Sequence, residues 1–427
     1  MQKHVTTDIP NTKTQNAMPT DTHISTIVFN ITAMITWFIG ITVNGLLFFL
    51  DYISDQKIPS NISKIPMIVH DYYNIWFGQY TLHHEGTKAI FDPIIYKNLA
   101  VKFNNIDVLY TWSYPPSILL LTTPFGWLSP LCGMIIYSLF GISLGIYILK
   151  KYKLPTPYIA AAILSPASII CLQSGQNGWY TTALFLAAIS ASTPAGRGIS
   201  AAILSCKPQI GILLPIIYMI QRQWKTIIYT IIFTTTLIGA TIACYGIGVW
   251  NDFFHKTSPF MREIMEEIYQ PHEHKMYFYM ATTPYSFLKW AGMHTQQALY
   301  MQIPISIIVL GINIYQWSPK RINTTIGKHI AVATSLISIS LITPYSFTYD
   351  TIPAMISILI ILTQRHTLRT PTWIYPLYII GWISPPISTI ISLFNYMPIE
   401  PLGNICVLTA ITIQAYIYQQ HPSTTEI

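Results

Sequence analysis

Four short stretches place polar side chains where they could do chemistry, in a chain otherwise poor in charge. "IPMIVHDYYNIWFG" (65–78) passes from an apolar run to an aromatic one at His70-Asp71. Asp71 reads either as the N-cap of the helix that follows, an ordinary post for aspartate, or as a general base able to take a proton from a hydroxyl. "AAILSCKPQIGILLP" (201–215) sets Lys207 about ten residues from either end of an apolar run, too deep for its ammonium to snorkel out. Such an ammonium needs an anion or a cavity, and phosphate is its natural partner. "LQSGQNGWYTTALFL" (172–186) holds Gln176 and Asn177 between two glycines; these amides either make a tight turn or offer hydrogen bonds. "LITPYSFTYDTIPAM" (341–355) carries Tyr349-Asp350, a cap for the next helix or part of a cavity shared with Asp71 and Lys207.

Two histidine groups, His83-His84-Glu85 and His272, Glu273 and His274, have a zinc-like local spacing but no completing partners. They read as solvated loop residues, and no metal is expected. Cys132, Cys171, Cys206, Cys244 and Cys406 all lie inside apolar runs, which gives neither a disulfide framework nor a metal-ligand pattern.

The elements that must position these residues follow from composition. Of 427 residues, 9% are charged and 52% hydrophobic, with mean hydropathy +0.43. A soluble domain carries roughly 25% charged residues, so the expectation is an all-α integral membrane protein in a lipid bilayer, with no nucleic-acid partner. Apolar runs fall near 26–50, 128–149, 155–172, 178–193, 198–220, 226–247, 299–317, 329–347, 351–364, 372–394 and 403–419. Pro208 removes a helical donor and breaks 198–220 into two half-helices meeting at Lys207. That makes about twelve membrane segments, in a single polytopic domain over 26–419 between polar tails at 1–25 and 420–427. The run 26–50 is too long for a signal-peptide core and reads as a retained helix.

Basic clusters (Lys150, Lys151 and Lys153; Arg222 and Lys225; Lys320, Arg321 and Lys328; Arg365 and Arg369) join Arg197, Lys3 and Lys13 on one face. The positive-inside rule makes that face, and both tails, cytoplasmic. Among the acids, only Asp8, Asp21 and Glu426 fall there. Two long polar segments, 51–115 and 248–298, become extracytoplasmic loops, with Asp71 on the same outer side. From Asp71 to Gly86 the aromatic spacing predicts an amphipathic helix lying along the interface.

Together these stretches resemble glycosyltransferase family 87, polytopic enzymes of the GT-C type. "DYYNIWFGQ" (71–79), "WSYPPSILLLTTPFGWL" (112–128), "SGQNGWYTTALFL" (174–186), "KPQIGILLP" (207–215) with "QRQWK", and "TPYSFTYD" (343–350) occur in the family's order. The resemblance implies a GT-C helical bundle that takes a polyprenyl-phosphate-linked sugar from the bilayer, needs no cofactor, and works at the extracytoplasmic face of a bacterial inner or plasma membrane. It implies transfer of a hexose such as mannose to a hydroxyl of a glycan or glycolipid acceptor. Asp71 then stands where the family has its base. Lys207 would stabilise the departing phosphate, with Gln176, Asn177 and Gln209 as hydrogen-bond donors and Asp350, beside Tyr349, orienting the sugar or a donor residue. Some mannosyltransferase members carry a His pair where this chain has Tyr349-Asp350. The rival reading is a transporter or flippase of lipid-linked or amphipathic solutes, supported by the intramembrane lysine and broken helices. It leaves the large outer loops unexplained. A structural or scaffolding membrane protein would leave Lys207 and the outer acids without a role.

Overall fold

A computed structural model describes residues 71–104, 111–268, 278, 280–395 and 397–420. The tail 1–25, the run 26–50, His272, Glu273 and His274, and the tail from 421 lie outside the described residues. What is described is helical, with a single antiparallel bridge between Ala281 and Phe347.

A first group of helices packs beside the acid at 71: α1 (Tyr72–His84), α2 (Thr87–Phe91), α3 (Pro93–Asn104) and α4 (Ser117–Gly126). A chain of helices then crosses back and forth: α5 (Pro130–Lys151), α6 (Thr156–Ile163), α7 (Pro166–Ser174), α8 (Gly178–Ser190), α9 (Pro194–Leu204), α10 (Pro208–Gly211), α11 (Leu214–Ile220) and α12 (Trp224–Tyr245). A small lobe follows, with α13 (Gly248–Asp252), α14 (Ser258–Ile268) and α15 (Pro284–Trp290). The remainder is α16 (Thr295–Gln316), α17 (Thr325–Ile342), α18 (Ile352–Thr363), α19 (Tyr375–Asn395) and α20 (Glu400–Gln420). Pro130, Pro166, Pro194, Pro208 and Pro284 each open a helix, where the missing N–H has no intrahelical partner to lose. Hydroxyls of Ser165, Thr193, Thr283 and Thr324 cap the starts of α7, α9, α15 and α17.

By length and composition six described helices can cross a membrane, α5, α12, α16, α17, α19 with its leading turn, and α20. The pair α6–α7, bent by 50°, would make a seventh. Of the remaining expected crossings, 178–193 folds as the 13-residue α8 and 351–364 as the 12-residue α18. The half-helices of 198–220 are α9, of 11 residues, and the pair α10 and α11. At about 1.5 Å per residue these are too short to span a hydrocarbon core alone. The turns that carry the polar stretches take the rest of each run.

Burial sorts the helices into a centre and a periphery. α18 is buried on every side, and α17 nearly so, as expected of helices apolar all round. α12 is the opposite case: Ile228, Ile231 and Ile232 face outward, which costs nothing against lipid tails. α5 presents Gly133, Tyr137, Gly141, Gly145 and Leu149 inward at a spacing of four, one face of a helix. Those glycines admit the aromatic rings of its neighbours. A Cβ on Gly145 would lie 2.2 Å from Cε3 of Trp179 in α8.

The helix directions also sort the charges. The C-terminal end of α5, the N-terminal end of α9 and the C-terminal end of α18 lie at one end of the bundle, where Arg365 donates to Tyr158 Oη at 2.7 Å and Tyr152 meets His329. Asp71, Lys207 and Asp350 lie at the other end.

Gly145→Ala is expected to destabilise the protein by about 1–3 kcal/mol through overpacking. Gly239→Ala, inside α12 where a Cβ meets open space, should not destabilise it and should gain up to about 1 kcal/mol of helix propensity. Thermal midpoints in detergent check this, and equal shifts would contradict the packing of α5 on α8.

Candidate active site

α1 is not the interfacial amphipathic helix its sequence suggests. Tyr72, Tyr73, Ile75, Trp76, Phe77, Gly78, Gln79 and Thr81 are all buried, because α4, α5 and the segment from 111 pack against the helix, with Trp112 on Gly78, Gly126 on Gln79 and Gly133 on Tyr72. Its polar side chains fasten it. Asn74 Nδ2 donates to Thr111 O at 2.9 Å, Trp76 Nε1 to Leu128 O at 2.9 Å, and Gln79 Nε2 to Thr122 Oγ1 at 2.7 Å. Gly78 leaves room for Trp112, whose Cζ3 would lie 2.1 Å from a Cβ there. The helix ends at Glu85–Gly86, and Gly86 takes the positive φ of 81° that its type allows.

This anchoring fixes Asp71 at the head of α1. The residue occupies the cap position, but its side chain makes no capping hydrogen bond. Its Oδ2 accepts from Gln176 Nε2 at 3.0 Å.

Gln176 and Asn177 lie in the turn between α7 and α8, and the flanking glycines are there for two different reasons. Gly175 has φ 61°, and a Cβ on it would press on Tyr72 and Met134. Gly178 is a close approach: a Cβ would stand 1.9 Å from Tyr349 O. The turn is thereby wedged between the head of α1 and the segment 343–350.

Lys207 sits in the break between α9 and α10, with Pro208 at the first position of α10. Its Nζ donates to Asn177 Oδ1 at 3.0 Å and to Asp350 Oδ1 at 2.5 Å. The Tyr349 ring centroid is 5.2 Å from the ammonium, a cation–π contact. Lysine and aspartate are 12% and 4% exposed, so each charge is tolerable because the other is there. Asp350 in turn is held by its own turn: its N–H donates to Phe347 O at 2.7 Å. The segment is stitched to the small lobe by Thr282 N–H on Ser346 O and Thr283 Oγ1 on Pro344 O.

Two residues here were not singled out by sequence. Tyr114 accepts from Asn177 Nδ2 at 3.2 Å. Burial holds its phenol well above the ordinary tyrosine pKa, reinforced by the charges of Asp350 and Asp71. Its signal was a tyrosine directly before Pro115-Pro116 at the start of an apolar run. Glu400, 1% exposed at the head of α20, accepts from Thr348 Oγ1 at 2.6 Å and Thr351 Oγ1 at 3.4 Å. A lone acid opening the last apolar run was its signal.

Lys207, Asn177 and Tyr114, joined by hydrogen bonds, form a polar corner of a cavity of about 230 Å³ whose walls are mostly apolar. Leu121, Phe125, Tyr137, Phe140, Leu144 and Leu184 line it, and Leu121 and Phe140 are also exposed on the outer surface. The cavity therefore reaches the side of the bundle between α4 and α5. Gln209 neither lines it nor hydrogen-bonds to the group around Lys207. Among the described residues no cluster of His, Cys, Asp or Glu could hold a metal ion, and His83, His84 and Glu85 are exposed at the end of α1.

The model of the family described as glycosyltransferase family 87 matches residues 112–344. That stretch includes Tyr114, Gln176, Asn177, Lys207 and Gln209 and leaves out Asp71, Tyr349, Asp350 and Glu400. No curated protein and no solved structure matches the chain.

Removing one partner of the Lys207–Asp350 pair strands a buried charge, at a cost of about 3–5 kcal/mol. Lys207→Met and Asp350→Leu should each lower the thermal midpoint, and the double variant should lose less than the sum. Additive losses would mean that the two side chains do not stabilise one another.

Proposed function

The chain belongs to glycosyltransferase family 87, and from that premise we propose that it moves a hexose, such as mannose, from a polyprenyl-phosphate donor to an acceptor hydroxyl at the extracytoplasmic face of a cell membrane. The acceptor is a glycan or glycolipid. The observation that carries this reading is the cavity: mostly apolar, lined by Leu121 and Phe140 that are also exposed on the surface, and polar at Lys207, Asn177 and Tyr114. A polyprenyl chain needs such walls, and its phosphate needs such a corner.

The reaction follows from the proposed roles. The acceptor oxygen attacks C1 of the sugar, and the bond from C1 to the phosphate oxygen breaks with its electron pair going to the phosphate. Asp71 takes the acceptor's proton, its carboxylate oriented by Gln176. Lys207 stabilises the charge that grows on the leaving phosphate, and Asn177 steers the ammonium. Asp350 orients Lys207, the second of the two roles its position allowed. The phosphate is already an activated leaving group, so the scheme calls on no cofactor.

The facing follows from charge. The basic clusters gather at the end of the bundle away from Asp71, and such clusters mark the cytoplasmic side. The full complement of about twelve segments, with 51–115 and 248–298 as outer loops in a GT-C arrangement, belongs to the same reading.

Purified protein in nanodiscs, given radiolabelled polyprenyl-phosphate hexoses and pentoses with native membrane extract as acceptor, is expected to transfer the labelled sugar and release polyprenyl phosphate. Asp71→Asn should lower turnover by about 10²–10⁴-fold while the protein stays folded, the typical worth of a general base. If no donor turned over even with native membrane extract as acceptor, while sealed vesicles moved a labelled lipid across, a transporter would take the enzyme's place.

A further inference from the structure

The hydrogen-bonding directions around Lys207 determine what Tyr114 can offer a ligand. An ammonium has donors only. The amide atom that faces it at 3.0 Å is therefore the Asn177 carbonyl oxygen, which leaves Nδ2 facing Tyr114 Oη at 3.2 Å. That nitrogen can only donate, so the phenol oxygen accepts, and the phenol's own hydrogen remains to be given away. Among the described residues it has no acceptor, and Tyr114 lines the cavity.

The ring that carries this hydroxyl is fixed. Trp112, wholly buried against Gly78 of α1, meets it edge-on with centroids 5.6 Å apart, and Pro115-Pro116 follow at once. Burial and the two nearby carboxylates disfavour the phenolate, so the group stays a neutral donor. Lys207, by contrast, already spends its charge on Asp350 at 2.5 Å. An anion arriving at this corner of the cavity meets a compensated cation and a donor that is still unspent.

We propose that Tyr114 donates its hydroxyl hydrogen to a phosphate oxygen of the polyprenyl-phosphate donor and is the group by which the site distinguishes a phosphorylated lipid from the neutral alcohol. The inference rests on the donor reading above. No proton is transferred: the hydrogen stays on Tyr114, and its hydrogen bond strengthens as the C1–O bond breaks and negative charge collects on the phosphate.

The test uses the full chain in nanodiscs and two probes, a C20 polyprenyl monophosphate and the matching polyprenol. The wild type is expected to bind the phosphate more tightly than the alcohol. Tyr114→Phe keeps the ring against Trp112 and removes only the hydroxyl. It should cut that preference by about tenfold or more, as for a hydrogen bond to a charged group, with polyprenol affinity unchanged. Replacing Tyr114 with p-aminophenylalanine, which restores an N–H donor, should recover most of it. A wild-type preference that persists in Tyr114→Phe would overturn the proposal alone, as would an equal weakening of both probes, which marks a structural role. A wild type with no preference for the phosphate would overturn the donor reading and the proposal with it.

Discussion

The ion pair between Lys207 and Asp350 is the constraint around which the acidic end of the bundle is built. A lysine deep in an apolar run is costly unless a partner neutralises it. Its partner here is 143 residues away. To bring them together the chain breaks a helix at Pro208, folds 343–350 into a tight turn, and lets that turn touch the start of α8 at Gly178, where no side chain would fit. Asn177 then fills the remaining space beside the ammonium, and Gln176, next in sequence, reaches Asp71. One electrostatic requirement thus aligns three turns and the head of α1.

The same constraint explains why so many helices here are short. α8, α9 and α18 each stop before a full crossing because their outer residues are used in turns. Freed backbone groups at such depth are tolerated only within protein or beside a cavity. The cavity between α4, α5, α8 and α9 is that place, and its walls continue to the outer surface at Leu121 and Phe140. Structure and proposed activity therefore draw on one arrangement: the apolar part suits a lipid chain, and the polar part suits the group at its head.

Much of this was legible residue by residue. Gly86 stops α1, Pro208 breaks the run at Lys207, and the glycines of "SGQNG" mark a tight turn, each through chemistry local to a few residues. The surroundings of α1 were not, because a helix with one aromatic stripe reads as interfacial until the segments covering its other faces are known. Nor was the pairing of Lys207 with Asp350 rather than with a free anion, since no local pattern joins residues so far apart. Tyr114 and Glu400 carry single polar groups in apolar surroundings and gain meaning only from what faces them. Gln209, adjacent to the break and so a natural candidate, hydrogen-bonds to none of the group.

The central claim is that the cavity beside Lys207 receives a polyprenyl phosphate. Photo-crosslinking tests it most directly. A polyprenyl phosphate carrying a diazirine in its first isoprene units would be irradiated with the protein in nanodiscs and the labelled peptides identified by mass spectrometry. Label on 118–125, 137–144 and 181–184, displaced by unmodified polyprenyl phosphate but not by polyprenol, is the expected result. Label spread over the outward faces of α12 and α16, with no displacement, would contradict the account.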